Sequence, residues 1–213
     1  MTKIVNKLYD TYGDAVAAIN ALEAAGISHN DISIVANNVD NKNDPLKKNH
    51  AAKAEDPTQK NAAAKGAGSG AGIGAVAGGG AGLLAGIGML AIPGIGPVVA
   101  AGWLVATAAG AAVGATAGAV SGGIIGKLTE YEVRKEDAEL YAEAIRRGAT
   151  LVSVKAADKE VGRVEEILAD FNYIDVEARR SLYAQDNWTT FDPNAPAYTP
   201  AQIEQERARY RQL

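Results

Sequence analysis

The chain has 213 residues, a formal net charge of −4 and no cysteine. The acidic balance argues against a nucleic-acid binder, which carries a basic stripe or patch. The missing cysteines exclude disulfides, thiolate catalysis and Cys-ligated metal, and suit a reducing cytoplasm. The first ten residues, MTKIVNKLYD, contain no apolar run of the kind a secretory signal needs. Charge is unevenly spread: between Gly66 and Gly126 there is not one Asp, Glu, Lys or Arg. A polar chain is thus interrupted by an uncharged insert.

In chain order, KIVNKLY (3–9) reads as a strand. Thr11 then caps a helix, with Asp14 at capping-box spacing, and Val16, Ile19 and Leu22 fall on one face. Gly26 stops it, and DISIVAN (31–37) is a second strand. Residues 38–65 are polar, rich in Asn, Lys and Asp, and read as a linker. After the insert a helix is predicted over 134–147, ended by Gly148, then a strand TLVSVK (150–155). Asp158 is placed to cap the next helix, whose Val161, Val164, Leu168 and Phe171 form a stripe. YIDVEA (173–178) is read as a last strand. Strand–helix–strand thus occurs on both sides of the insert. The expected fold is α+β: a ferredoxin-like sandwich whose two halves, 1–37 and 130–178, share one sheet, interrupted by a Gly/Ala-rich helical hairpin over 66–128. Residues 179–213 read as a Pro-rich arm and a helix with Thr199 at the N-cap and Pro200 at its first position.

Within the insert, Gly66, Gly70, Gly74, Gly78, Gly82 and Gly86 are spaced by four. Gly102, Gly110, Gly114, Gly118, Gly122 and Gly126 keep the same step, with Ala106 at the missing place. A four-residue step follows one ridge of a helix, and small residues along it let two backbones approach closely. A flexible linker has no reason to keep that register. A phosphate loop fails because Gly126-Lys127 is followed by Leu128, not Ser or Thr. The expectation is two glycine-zipper helices, 66–90 and 98–126, joined at IPGIGP through Pro93, Gly94, Gly96 and Pro97. Each is long enough to cross a hydrocarbon core about 30 Å thick at about 1.5 Å rise per residue. Lysines 47, 48, 53, 60, 65 and 127, with Arg134, then place both flanks, and so both termini, in the cytoplasm. Gly and Ala are only marginally apolar, so the same face also fits a soluble homo-oligomer, a shell, ring or filament in which other copies replace lipid. Trp103 reads as an interfacial belt residue or as core. Self-association is common to both readings.

The flanking stretches AVAAINALEAAGISHNDISIVA and DAELYAEAIRRGATLVSVKAADKEVGRVEEILADF resemble the bacterial general stress protein family, the heat- or low-temperature-induced group. The similarity covers about residues 3–37 and 130–178. The expected setting is the bacterial inner membrane with both termini cytoplasmic, or alternatively a cytoplasmic soluble assembly; the resemblance itself implies a ferredoxin-like domain with a glycine-rich insert, a stress-response role, no catalytic residues and no cofactor. The residues agree with that last expectation. His29 and His50 lack ligand spacing, and Ser69 and Ser121 lack a partner base. The run Glu130, Glu132, Glu136, Asp137, Glu139 reads as a solvated face. No small-molecule substrate, metal or nucleic acid is expected, and the expected partners are other copies and a lipid bilayer.

Overall fold

The computed structural model describes residues 2–39, 88–92, 94–104 and 119–210. They form a mixed α+β structure around one antiparallel sheet. The strands are β1 (Thr2–Tyr9), β2 (Ile32–Asn37), β3 (Gly88–Ile92), β4 (Gly96–Gly102) and β5 (Thr150–Ala157), in the spatial order β1-β5-β2-β4-β3. The helices are α1 (Tyr12–Ala24), α2 (Ala119–Glu130), α3 (Lys135–Arg146), α4 (Val161–Ala169), α5 (Val176–Gln185) and α6 (Pro200–Tyr210), with a 3-10 turn at His29–Asp31.

Strand alternation divides the core into two layers. On one face Val5, Tyr9, Ile32, Ile34, Val152 and Val154 pack against Ala15, Ile19 and Leu22 of α1 and Val164 and Leu168 of α4. On the other, Leu8, Val35 and Leu151 meet Leu140 and Tyr141 of α3, Leu128 of α2 and Tyr183 of α5. The local signals act as anticipated at several points. Thr11 accepts the Asp14 N–H at 3.1 Å and starts α1. The Gly26 and Ile27 amides close a Schellman stop on Glu23 and Leu22, and the Gly148 and Ala149 amides do the same for α3 on Ile145 and Ala144. Thr199 caps α6, accepting the Gln202 N–H while Gln202 Oε1 accepts the Thr199 N–H.

Three expectations are corrected. Residues 88–102 are not the inner ends of two helices: they are the β-hairpin β3–β4, and β4 pairs with β2 from Ser33↔Gly102 to Asn37↔Val98. Of the expected turn residues Gly94 lies in the turn, but Gly96 and Pro97 are the first two residues of β4, and the turn joins strands. The reason is local as well as tertiary. Val98 and Val99 are β-branched and suit a pleated surface, and β2 offers an otherwise open row of backbone partners. Gly102, read as a zipper position, closes the strand at φ +89°, and a Cβ there would sit 2.1 Å from the Ile32 carbonyl oxygen. Glycine is needed for a strand-to-strand approach, not a helix-to-helix one.

The second correction concerns 173–178. Only Tyr173 bridges to β1, at Tyr9, and Asp175 then accepts the Glu177 and Ala178 amides to start α5. An N-cap overrides the short alternation. Third, Asp158 is not the N-cap of α4: that position is Glu160, without a side-chain bond, and Asp158 faces Lys3 at 3.7 Å across the β1–β5 pair.

Gly122 and Gly126 lie on α2 as expected. The linker after residue 39, Gly66, Gly70, Gly74, Gly78, Gly82, Gly86, Pro93, Ala106, Gly110, Gly114 and Gly118 lie outside the described residues. Among those described, no helix is long and apolar enough to cross a membrane.

The two glycine environments give opposite expectations. Gly102→Ala should lower stability by about 3 kcal/mol or more, from strain and backbone collision. At Gly126 no described atom lies within 4 Å of the place a Cβ would take, so Gly126→Ala should raise stability by about 0.5–1 kcal/mol. Urea denaturation followed by circular dichroism checks both signs.

Candidate functional site

Two features stand out: the root of the glycine-rich segments and a charged clasp that holds the C-terminal arm. At the root, Asn37 fixes the end of β2. Its side-chain amide donates to the Ile145 and Arg146 carbonyls at 3.0 and 3.3 Å, and its Oδ1 accepts the Val39 N–H at 2.9 Å. Residues 88–104 carry the hairpin and end at Trp103 and Leu104. Trp103 is 9 % exposed and meets Tyr131 edge-on at 5.4 Å, with the Lys155 ammonium 4.5 Å above its ring. It is therefore a core residue with a cation–π partner. The hairpin thus stands between two stretches outside the described residues, 40–87 and 105–118, and each is flanked at both ends by residues of the same sheet-based domain.

The clasp grows from the end of α3. Glu143 is fully buried and receives two bonds from Arg146, at 2.7 and 2.9 Å, and one from Arg147 at 2.6 Å. Arg147, 5 % exposed, reaches Asp186 at 2.8 Å, and Arg209 of α6 holds the same carboxylate at 2.8 and 3.0 Å. Arg147 also lies 4.1 Å over the Tyr183 ring. The ends of α3, α5 and α6 converge here, where Asp186 just past α5 is held by Arg147 just past α3 and by Arg209 in the last turn of α6. Burial works against the Arg147 charge, but its bonds to Glu143 and Asp186 more than offset that, and its pKa lies above the ordinary arginine value. The Asp186 carboxyl is held below the usual range chiefly by its bond to Arg209, against a smaller desolvation effect. Burial pushes the Tyr183 hydroxyl up to about 12.

The clasp borders an open cleft of about 670 Å³, lined also by Trp188, Tyr198 and Gln205. Each of its arginines is matched to a carboxylate, and Glu206, which also lines it, accepts from the Tyr210 hydroxyl. Its work is to fasten residues 186–210. Ile203 is buried against Gly148, whose φ of +106° and missing side chain make room: a Cβ there would lie 2.6 Å from Ile203 Cγ2. Arg207 adds a 3.3 Å bond to the Gly148 carbonyl. Between α5 and α6 the arm crosses the β3–β4 turn. Phe191 joins Ile92 and Ile95 in the core, Pro193 lies over Gly94, and Ala197 lies over Gly96. The clasp therefore holds a strap that lies over the hairpin turn.

No residue of the clasp is singled out by the sequence-based expectations. The signal was present: Glu143 stands three and four residues before Arg146 and Arg147, at a helix end marked by Gly148. Among the described residues no group of His, Cys, Asp and Glu could hold a metal ion. His29 lies in the 3-10 turn and His50 outside the described residues. Comparison with protein families, curated proteins and solved structures finds no match.

Arg147→Ala should destabilise the protein by about 3–5 kcal/mol, because it leaves the fully buried Glu143 short of a partner. Asp186 carries the pH dependence. Its folded pKa lies below its unfolded one, so its contribution is complete above pH about 4 and is lost as the pH falls through the lower, folded value. Asp186→Asn should flatten that part of the acid limb of a stability–pH curve while leaving β1 and β5 intact.

Proposed function

We propose that this is a non-enzymatic protein whose glycine-rich segments associate with those of other copies, displayed from a compact α+β domain. The observation that carries this reading is the pairing of β4 with β2. With the hairpin in the sheet, each of the two stretches has to leave and rejoin the same domain. Returning across a bilayer takes two passes of about 20 residues each. The glycine-rich part of the first stretch, 66–87, and the whole of the second, 105–118, are each too short for two helical passes. Residues 40–65 carry Asp, Glu and Lys throughout and cannot add a pass. This favours copies of the chain over lipid as the surroundings of the glycine rows, and so a homo-oligomeric assembly over a membrane-spanning hairpin.

Two further parts of the reading rest on resemblance. The order β1-β5-β2, with α1 and α4 on one face and Tyr173 bridging the outer side of β1, supports a ferredoxin-like unit with its fourth strand reduced to one bridge. In that arrangement β3 and β4 are an extension at one edge, and α2, α3, α5 and α6 are additional elements. The flanking stretches resemble the general stress protein family, and a stress-response role follows from that likeness.

Fractionation and particle size test the proposal together. The full chain should sediment as a multimer without detergent, and replacing Gly74, Gly78, Gly114 and Gly118 by Leu should reduce it to small species while its circular dichroism is kept. Material that stays with membranes after an alkaline wash, or an unchanged particle size in the variant, overturns it.

A further inference from the structure

We infer that β3 is a self-pairing edge: two copies of the chain join antiparallel along it, about a twofold axis at Leu90, into one continuous sheet. This rests on the self-association reading above and names a surface for it. The starting point is the ladder. Pro97 accepts the Asn38 N–H at 2.9 Å, so its backbone carbonyl faces β2. In an antiparallel pair the backbone groups alternate sides. Ala91 stands opposite Pro97, and so turns its N–H and C=O away from β4; Met89, two residues back, does the same. No described strand lies on that side of β3.

The edge is suited to another copy of itself. Met89 is 54 % exposed, and Gly88 and Ala91 are exposed too. The segment GMLAI has no charge and no proline, and the nearest charged residues in sequence are Lys65 and Lys127, so two copies bring no like charges together within it. The opposite edge is guarded in the usual ways: β1 carries Lys3 and Lys7, Lys7 lies 4.2 Å over the Tyr173 ring, and Tyr173 occupies the outer backbone of Tyr9. Pairing about Leu90 sets Met89 of each copy opposite Ala91 of the other. Those are the two residues with outward N–H and C=O groups, so both pairs exchange both bonds. A closed twofold contact of this kind is self-complementary.

The chain has no cysteine, so one introduced thiol reports the contact directly. On a twofold axis Leu90 faces its own copy as a non-hydrogen-bonded pair, about 4.5 Å between Cα atoms, within disulfide reach. Full-length Leu90→Cys under mild oxidation should give a disulfide-linked dimer, at least tenfold more than Lys3→Cys on the guarded edge. Equal yields overturn the proposal. Met89→Lys and Ala91→Pro are the second arm. Neither group is used by the β3–β4 ladder, so circular dichroism should be unchanged while edge dimerisation shifts at least tenfold to higher concentration; no shift counts against the proposal. If residues of the chain's own 40–87 segment cover this edge, the Met89 and Ala91 amides will be protected from exchange in the dilute monomer and no crosslink will form, which also overturns it. Placing Leu90→Cys in the Gly→Leu variant separates the two readings. A retained crosslink with lost multimers supports the edge and the glycine rows alike, whereas large particles without a crosslink sink the edge alone.

Discussion

The β2–β4 pairing is the constraint on which the rest of the structure depends. Five consecutive residue pairs, from Ser33↔Gly102 to Asn37↔Val98, bring a stretch of the uncharged insert into the sheet. Ser33 adds a 2.8 Å bond to the Ala101 carbonyl, and Gly102 lets the two backbones come together at the end. Once that pairing exists, the insert is no longer a single long projection. It is tied to the domain in its middle, at β3 and β4, as well as at α2.

Holding the hairpin is a shared task. The β2–β4 ladder supplies directional backbone bonds along its length. The C-terminal strap covers its turn, and the clasp at Glu143, Arg147, Asp186 and Arg209 holds the strap. Breaking a buried pair of this sort costs more than forming it contributes, because the orphaned charge cannot be solvated. The clasp thus fixes where the strap lies. Tail and hairpin form one mechanical unit, fastened to β2 by the ladder and to the core beside Leu8, Val35 and Leu151.

Much of the fold was legible because it obeys local rules. Thr11, Gly26, Gly148 and Thr199 act at the positions their chemistry indicates, and the Val164–Leu168 stripe faces the sheet. What the sequence concealed was non-local. Gly102 keeps the four-residue step of the later glycines, while the apolar run Val98–Ala101 also suits a buried strand, and only the presence of β2 beside it decides between them. YIDVEA alternates convincingly, yet Asp175 accepts two amides and turns the chain into α5. The clasp is hidden for a different reason. Its members lie up to 66 residues apart in the sequence, from Glu143 to Arg209, and surface helices commonly carry such charges without consequence. The clasp differs because Glu143 is out of reach of water.

The most direct test of the β2–β4 pairing is a disulfide between Val35→Cys and Ala100→Cys in the full chain. These residues stand opposite each other as a non-hydrogen-bonded pair in the β2–β4 ladder, within disulfide reach. The expected result is a rapid intramolecular disulfide in dilute protein, seen as a thiol-free monomer of faster mobility without reductant. Two thiols that stay free, or that link only different molecules, would contradict the pairing and return residues 98–126 to a projecting helix.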